Sequence, residues 1–123
     1  MSNLMTLNNS YAVDNLKIPV PVNVKNDINA IATSLIDRFS DNIEKIILFG
    51  SFCDDSYQAD SDIDIAVILR QFPDLKERRL YYEQVVDTER EVDLLFCTDE
   101  QLESGKYVYR HIKSKGVVVY EQL

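Results

Sequence analysis

The chain is poor in residues that break or cross-link a backbone, with three glycines, three prolines and two cysteines in 123 residues. It has no low-complexity tract and no internal repeat, so fibrous, collagen-like and solenoid architectures are excluded. Cys53 and Cys97 have neither metal-ligand spacing nor the number of a disulfide framework. They are expected as free thiols in a reducing cytoplasm, although nothing in the sequence forbids their pairing. No apolar run approaches the ~20 residues needed to span a bilayer, and the first residues lack the cationic and apolar pattern of a secretion signal. A cytoplasmic protein without membrane contact is expected. Positive charge is scarce as well: 13 Lys and Arg stand against 21 Asp and Glu, a formal net charge of −8. Direct nucleic-acid binding is not expected, because its free energy comes largely from Lys and Arg displacing counterions.

What remains is the composition of one ordinary globular domain. Residues 1–24 are rich in Asn and end in Ile18-Pro19-Val20-Pro21-Val22, where the prolines favour an extended path. They are expected as an arm outside a domain spanning 25–123. From Asn26, a candidate N-cap, Ile28, Ile31, Ala32, Leu35 and Phe39 recur at helical spacing and predict the first helix. Ile46-Ile47-Leu48-Phe49, closed by Gly50, predicts a buried strand, and Ile63 to Leu69 a second. Pro73 and Asp74 open a helix expected to run through Val86, with Pro73 at its first position and an apolar face of Leu75, Tyr82 and Val86. A third strand covers Val92 to Cys97. Thr98 and Gln101 stand at capping-box spacing and start another helix, which Gly105 interrupts or divides. Gly116 then ends a helix, and Val117 to Tyr120 form a last strand. The order, αβ(α)βαβαβ, belongs to the α/β or α+β class.

Two features call for chemistry. A strand that ends in Gly50-Ser51 and turns at once offers backbone N–H groups and a hydroxyl to a phosphate, although Gly-Ser pairs often mark turns alone. Asp62 and Asp64, two apart at the start of a strand, point to one face and repel each other unless a proton or a cation intervenes. Hard oxygen ligands of this kind suit Mg²⁺. Exposed strand ends commonly carry such acids, but Ile65-Ala66-Val67-Ile68-Leu69 is apolar on both faces and makes this strand central. Glu91-Val92-Asp93-Leu94-Leu95-Phe96 places a third carboxylate in an otherwise apolar strand. If the second and third strands are neighbours, Asp93 joins Asp62 and Asp64.

Gly50-Ser51, ten residues, Asp62-x-Asp64 and, about one helix later, Asp93 together resemble the signature of the DNA polymerase β superfamily of nucleotidyltransferases. The ending Lys115-Gly116-Val117-Val118-Val119-Tyr120-Glu121 and the single-domain length resemble its minimal branch, the MNT proteins. The resemblance runs from about residue 26 to the C-terminus. It implies a nucleotidyltransferase fold, a central mixed sheet with helices packed mainly on one face. It also implies a two-metal Mg²⁺ site on Asp62, Asp64 and Asp93, with Asp62 and Asp64 bridging metals and triphosphate. Asp93 would bind the catalytic metal and receive the nucleophile's proton, and Gly50 and Ser51 would hold the β- and γ-phosphates of ATP. Many members follow Gly-Ser with Arg-Gly, whereas Asp54-Asp55 stand here and would oppose an anion if they pointed inward.

In the same branch, MNT proteins are commonly encoded beside HEPN-domain RNase toxins and act as their antitoxins. The resemblance therefore implies transfer of AMP from ATP to a tyrosine hydroxyl of such a toxin, within a homo- or hetero-oligomer. The chain lacks the Arg-x4-6-His signature of the HEPN RNase itself. Two rivals are nucleotidyl transfer to a small-molecule hydroxyl, whose enzymes usually carry a further helical domain, and non-enzymatic masking of the toxin. His111, the sole histidine, reads as a surface residue near a helix end, Lys76, Arg78 and Arg79 as a solvated helix face, and the seven tyrosines mostly as packing.

Overall fold

The computed structural model describes residues 20–53, 56–85 and 88–122. Residues 1–19 of the expected arm, Asp54-Asp55 and Val86 lie outside the described residues. The sheet has four strands, β1 (Ile43–Phe49), β2 (Ile63–Leu69), β3 (Val92–Thr98) and β4 (Val117–Glu121), in the order β3-β2-β1-β4. β1 runs antiparallel to β2 and β4, while β2 and β3 are parallel. The sheet is therefore mixed, and the second and third strands are neighbours in it.

Alternation along β2 sorts its side chains. Ile63, Ile65, Val67 and Leu69 enter the larger core, whereas Ala66 and Ile68 enter a smaller cluster on the opposite face. Each fully buried aliphatic side chain stabilises the fold by about 1.5–3 kcal/mol. The larger core is covered by α1 (Val22–Phe39), which buries Val24, Ile28, Ile31, Ala32, Leu35 and Ile36. This helix starts ahead of the expected Asn26 cap: Pro21 is the N-cap residue, and its carbonyl accepts from the N–H groups of Val24 and Lys25. Val20 and Val24 are buried, because the apolar stripe of α1 extends back through Val24.

The second helix, α2 (Leu75–Glu83), begins at a capping box in which Asp74 accepts from Glu77 N–H at 2.8 Å. Pro73 stands outside the cap, not at the first helical position, because the Asp74 side chain takes the capping role. The expected apolar face is also corrected. Leu75 is 74% and Tyr82 43% exposed, and Tyr81 is the buried residue, stacked on Phe39 at 3.8 Å and edge-on to Phe96. In so short a helix, the neighbouring elements decide which side faces inward. The capping box of Thr98 and Gln101 starts α3 (Asp99–Glu103), and Gly105 separates it from α4 (Tyr107–Lys115). Leu102 and Ile112 of these helices close the smaller cluster over Ile47, Ala66, Ile68 and Cys97.

Gly116 ends α4 as expected, with an extended backbone at φ −69° that does not by itself call for glycine. A Cβ there would instead collide with the Ile112 carbonyl and the Ile47 side chain, so close approach of α4 to β1 requires glycine. Among the described residues, no helix is long and apolar enough to cross a membrane. Cys53 and Cys97 are free thiols, and burial followed by the charge of Asp99 pushes Cys97 up to about 11.

Candidate active site

The site lies where β1 ends and β2 and β3 begin. β1 leaves the sheet at Phe49, directly across from Asp64. Gly50 follows at φ +84°, a left-handed backbone open to glycine at little cost, and a single 3-10 turn runs from Gly50 to Cys53. A Cβ on Gly50 would overlap the Asp64 Oδ2 atom. The Asp64 carboxylate thus rests on the Gly50 backbone, and any side chain at residue 50 would displace it.

Parallel pairing places Asp93 beside Asp64 in register, so the two residues lie on one face of the sheet. That face is the one that Ala66, Ile68 and Cys97 share with α3 and α4. Asp62 lies one residue before β2 and carries no strand pairing. The carboxyl of Asp64 is pushed up to about 6, first by burial, then by the charge of Asp93, then by that of Asp62. The three acids therefore form one electrostatic unit, with Asp64 at its centre and Asp93 at its exposed rim. Ser51 sits half-buried in the turn beside Gly50.

Two observations bear on a metal. Among the described residues, no three acid, His or Cys side chains converge tightly enough to ligate an ion by themselves. The mutual repulsion at Asp64 nevertheless extends to both other acids, since charges interact well beyond ligand-bond length. Mg²⁺ is ordinarily held by one or two carboxylates with substrate phosphates and waters completing its shell, not by an all-protein cage. This donor set, three carboxylates beside an accessible turn, fits that mode of binding.

Sequence pattern did not single out Arg90. Its guanidinium lies over the Phe52 ring, 5.2 Å from the centroid, and donates to the Ser61 carbonyl at 3.0 Å. No local signal reveals this contact, which joins residues 29 apart in sequence. His111 is exposed on α4. Lys76 and Arg79 are exposed on α2, and Arg78 lies 5.3 Å from the Phe72 ring centroid.

Comparison with known proteins identifies the family of the chain. A protein of Methanocaldococcus jannaschii, provisionally named a protein adenylyltransferase, is 33% identical over 55 residues, 45% of this chain and 48% of that protein. The chain thus spans about half the length of that relative. Among solved structures, a toxin-antitoxin with AMP-PNP is similar at a TM-score of 0.60 and 26% identity, over 76% of this chain and 73% of that chain. A mutant form of the MntA-HpeT toxin-antitoxin is similar at 0.58 and 27%, over 77% and 72% of the respective chains. Residues 27–122 match the family described as polymerase beta, nucleotidyltransferase, and cover most of the described fold, so the chain belongs to that family.

Proposed function

We propose that this protein is an MNT-type antitoxin that transfers AMP from ATP to a tyrosine hydroxyl of a cognate HEPN RNase toxin. The observation that carries the reading is the seating of Asp64 against Gly50 and beside Asp93, in a chain of the nucleotidyltransferase family. Similarity to a toxin-antitoxin with AMP-PNP supports both an adenine nucleotide and a toxin partner.

In this reading, the Gly50–Ser51 turn holds the β- and γ-phosphates through backbone N–H groups and the Ser51 hydroxyl. Asp62 and Asp64 would hold Mg²⁺ with the triphosphate, and Asp93 would complete one metal position beside the acceptor. Bound Mg²⁺ would supply charge neutralisation for the entering and leaving oxygens of an in-line displacement. The acceptor oxygen forms a bond to the α-phosphorus as the bond to the bridging oxygen breaks. Pyrophosphate leaves, and the hydroxyl proton passes to the Asp93 carboxylate. In this reading the acceptor hydroxyl arrives on the surface of the partner protein, in keeping with the similarity to a toxin-antitoxin. Holding its hydroxyl in line is where the rate advantage arises. The added phosphate brings negative charge to an RNase that must bind RNA phosphates.

Intact-mass analysis of the toxin after incubation with this protein, ATP and Mg²⁺ tests the reading. An AMP-sized adduct on a tyrosine is expected. Inhibition of the toxin with no adduct would replace transfer by masking, and an adduct on a small hydroxyl compound alone would replace the protein acceptor.

A further inference from the structure

Three segments distant in sequence supply the site: the Gly50–Cys53 turn, the loop that runs into β2 with Asp62, and β3 with Asp93. Their backbones are not equally fixed. Asp64 and Asp93 occupy paired positions in the β2–β3 ladder, whereas Asp62 precedes the first paired residue, Ile63. Something other than the sheet must hold Asp62.

The preceding residues form a closed turn. Ser61 N–H donates to the Gln58 carbonyl at 3.1 Å, and Gln58 N–H donates to Ser61 Oγ at 2.7 Å. One terminal nitrogen of Arg90 donates to both carbonyls of this turn, Ser61 at 3.0 Å and Gln58 at 3.4 Å. The same guanidinium lies over Phe52, which is fully buried in the larger core and stacked on Tyr57 at 4.7 Å. Arg90 itself stands just ahead of β3, where the Glu91 carbonyl accepts from Ile63 N–H at 2.9 Å. One side chain therefore spans the turn after Gly50-Ser51, the loop before Asp62 and the approach to Asp93. A planar guanidinium can stack on a ring and donate in its own plane at once, which an ammonium cannot do.

We propose that Arg90 is the positioning residue of the site: it holds the Gln58–Ser61 turn, and through it Asp62, in fixed relation to Gly50-Ser51 and β3. The inference deepens the nucleotidyl-transfer reading and rests on it for its effect on activity. The hold on the loop can be measured without activity.

The test compares wild type with Arg90→Met, which keeps an apolar stem over Phe52 but no donors, and with Arg90→Lys, which keeps the charge but not the fork. Far-ultraviolet circular dichroism establishes folding, amide hydrogen exchange reads the loop, and Mn²⁺ binding followed by electron paramagnetic resonance reads the site. In Arg90→Met, exchange at Ser61 and Asp62 should quicken while that of α1 stays unchanged. Mn²⁺ affinity should fall roughly 10- to 100-fold, the usual effect of removing a group that orients metal ligands. Turnover should fall similarly with little change in KM for ATP, and Arg90→Lys should recover part of each loss. If Arg90→Met does not fold, the same comparison is made on Arg90→Lys. Wild-type exchange and Mn²⁺ affinity in the folded variant overturn the proposal. Wild-type protein that binds Mn²⁺ no better than Asp64→Asn would instead overturn the reading of the site, and the exchange data would still decide whether Arg90 holds the loop.

Discussion

The two ends of the one sheet are built on opposite terms. At the end where β1 starts and β2 stops, polar groups are matched. Asn42 accepts from Gln71 N–H at 3.1 Å and donates to the Gln71 carbonyl at 3.3 Å. Arg70 reaches the Asp41 carbonyl at 3.1 Å and Gln122 Oε1 at 2.6 Å, and Lys45 pairs with Glu121 at 3.6 Å across β1 and β4. At the other end, burial first, then the charge of Asp93 and then that of Asp62 push the Asp64 carboxyl up to about 6. One end is assembled for stability, and the other holds repulsion that a bound cation would relieve.

The strongest way to break this contrast is to remove the charge. Asp62→Asn with Asp64→Asn should abolish nucleotidyl transfer, read as loss of the adduct by mass, while circular dichroism remains that of the wild type. Gly50→Ala attacks the same end through the backbone. Its φ of +84° and the clash with Asp64 should cost about 1–3 kcal/mol in chemical denaturation. Displacement of the carboxylate should lower turnover by on the order of 100-fold. At the satisfied end, Asn42→Ala should destabilise the fold by about 1–2 kcal/mol and leave Mn²⁺ affinity at the wild-type value, which titration would check.

The smallest effect sharpens the comparison most. The folded pKa of Asp64 is raised, so its contribution to stability is fully present below the ordinary value of 3.8 and is lost as pH rises through about 6. Above that pH, Asp64→Asn should therefore stabilise the metal-free protein. The gain should be about 1 kcal/mol, because a half-exposed group is screened by solvent. Thermal unfolding in the presence of a chelator at pH 7.5 and pH 4 would show the gain at the higher pH only.

Much of this arrangement was legible because it is local or periodic. The unbroken apolar run Ile65 to Leu69 marked β2 as a central strand with its acids at one end, and Thr98 with Gln101 marked a helix start by side-chain chemistry alone. The parallel pairing of Asp64 with Asp93 was legible only as a condition, since adjacency of strands is not written in either strand. Tertiary contact decided the rest. Tyr81 faces inward on α2 because Phe39 and Phe96 meet it there, while Leu75, an equally apolar neighbour in sequence, points to solvent. Pro21 caps α1 ahead of Asn26 because Val24 finds a place in the core. Arg90 carries no local signal, because the Gln58–Ser61 turn and the Phe52 ring that it contacts are remote from it in sequence.

Chemical-shift mapping with ¹⁵N-labelled protein tests most directly whether the carboxylate end is a metal–nucleotide site. The titrants are Mg²⁺ alone, AMP-PNP alone, and both together. The account predicts weak shifts with either one alone and saturating shifts with both, confined to Gly50, Ser51, Ser61–Asp64 and Asp93, with Asn42, Arg70 and Gln122 unmoved. Shifts centred on the Asn42 end, or none at the three aspartates with both present, would contradict it.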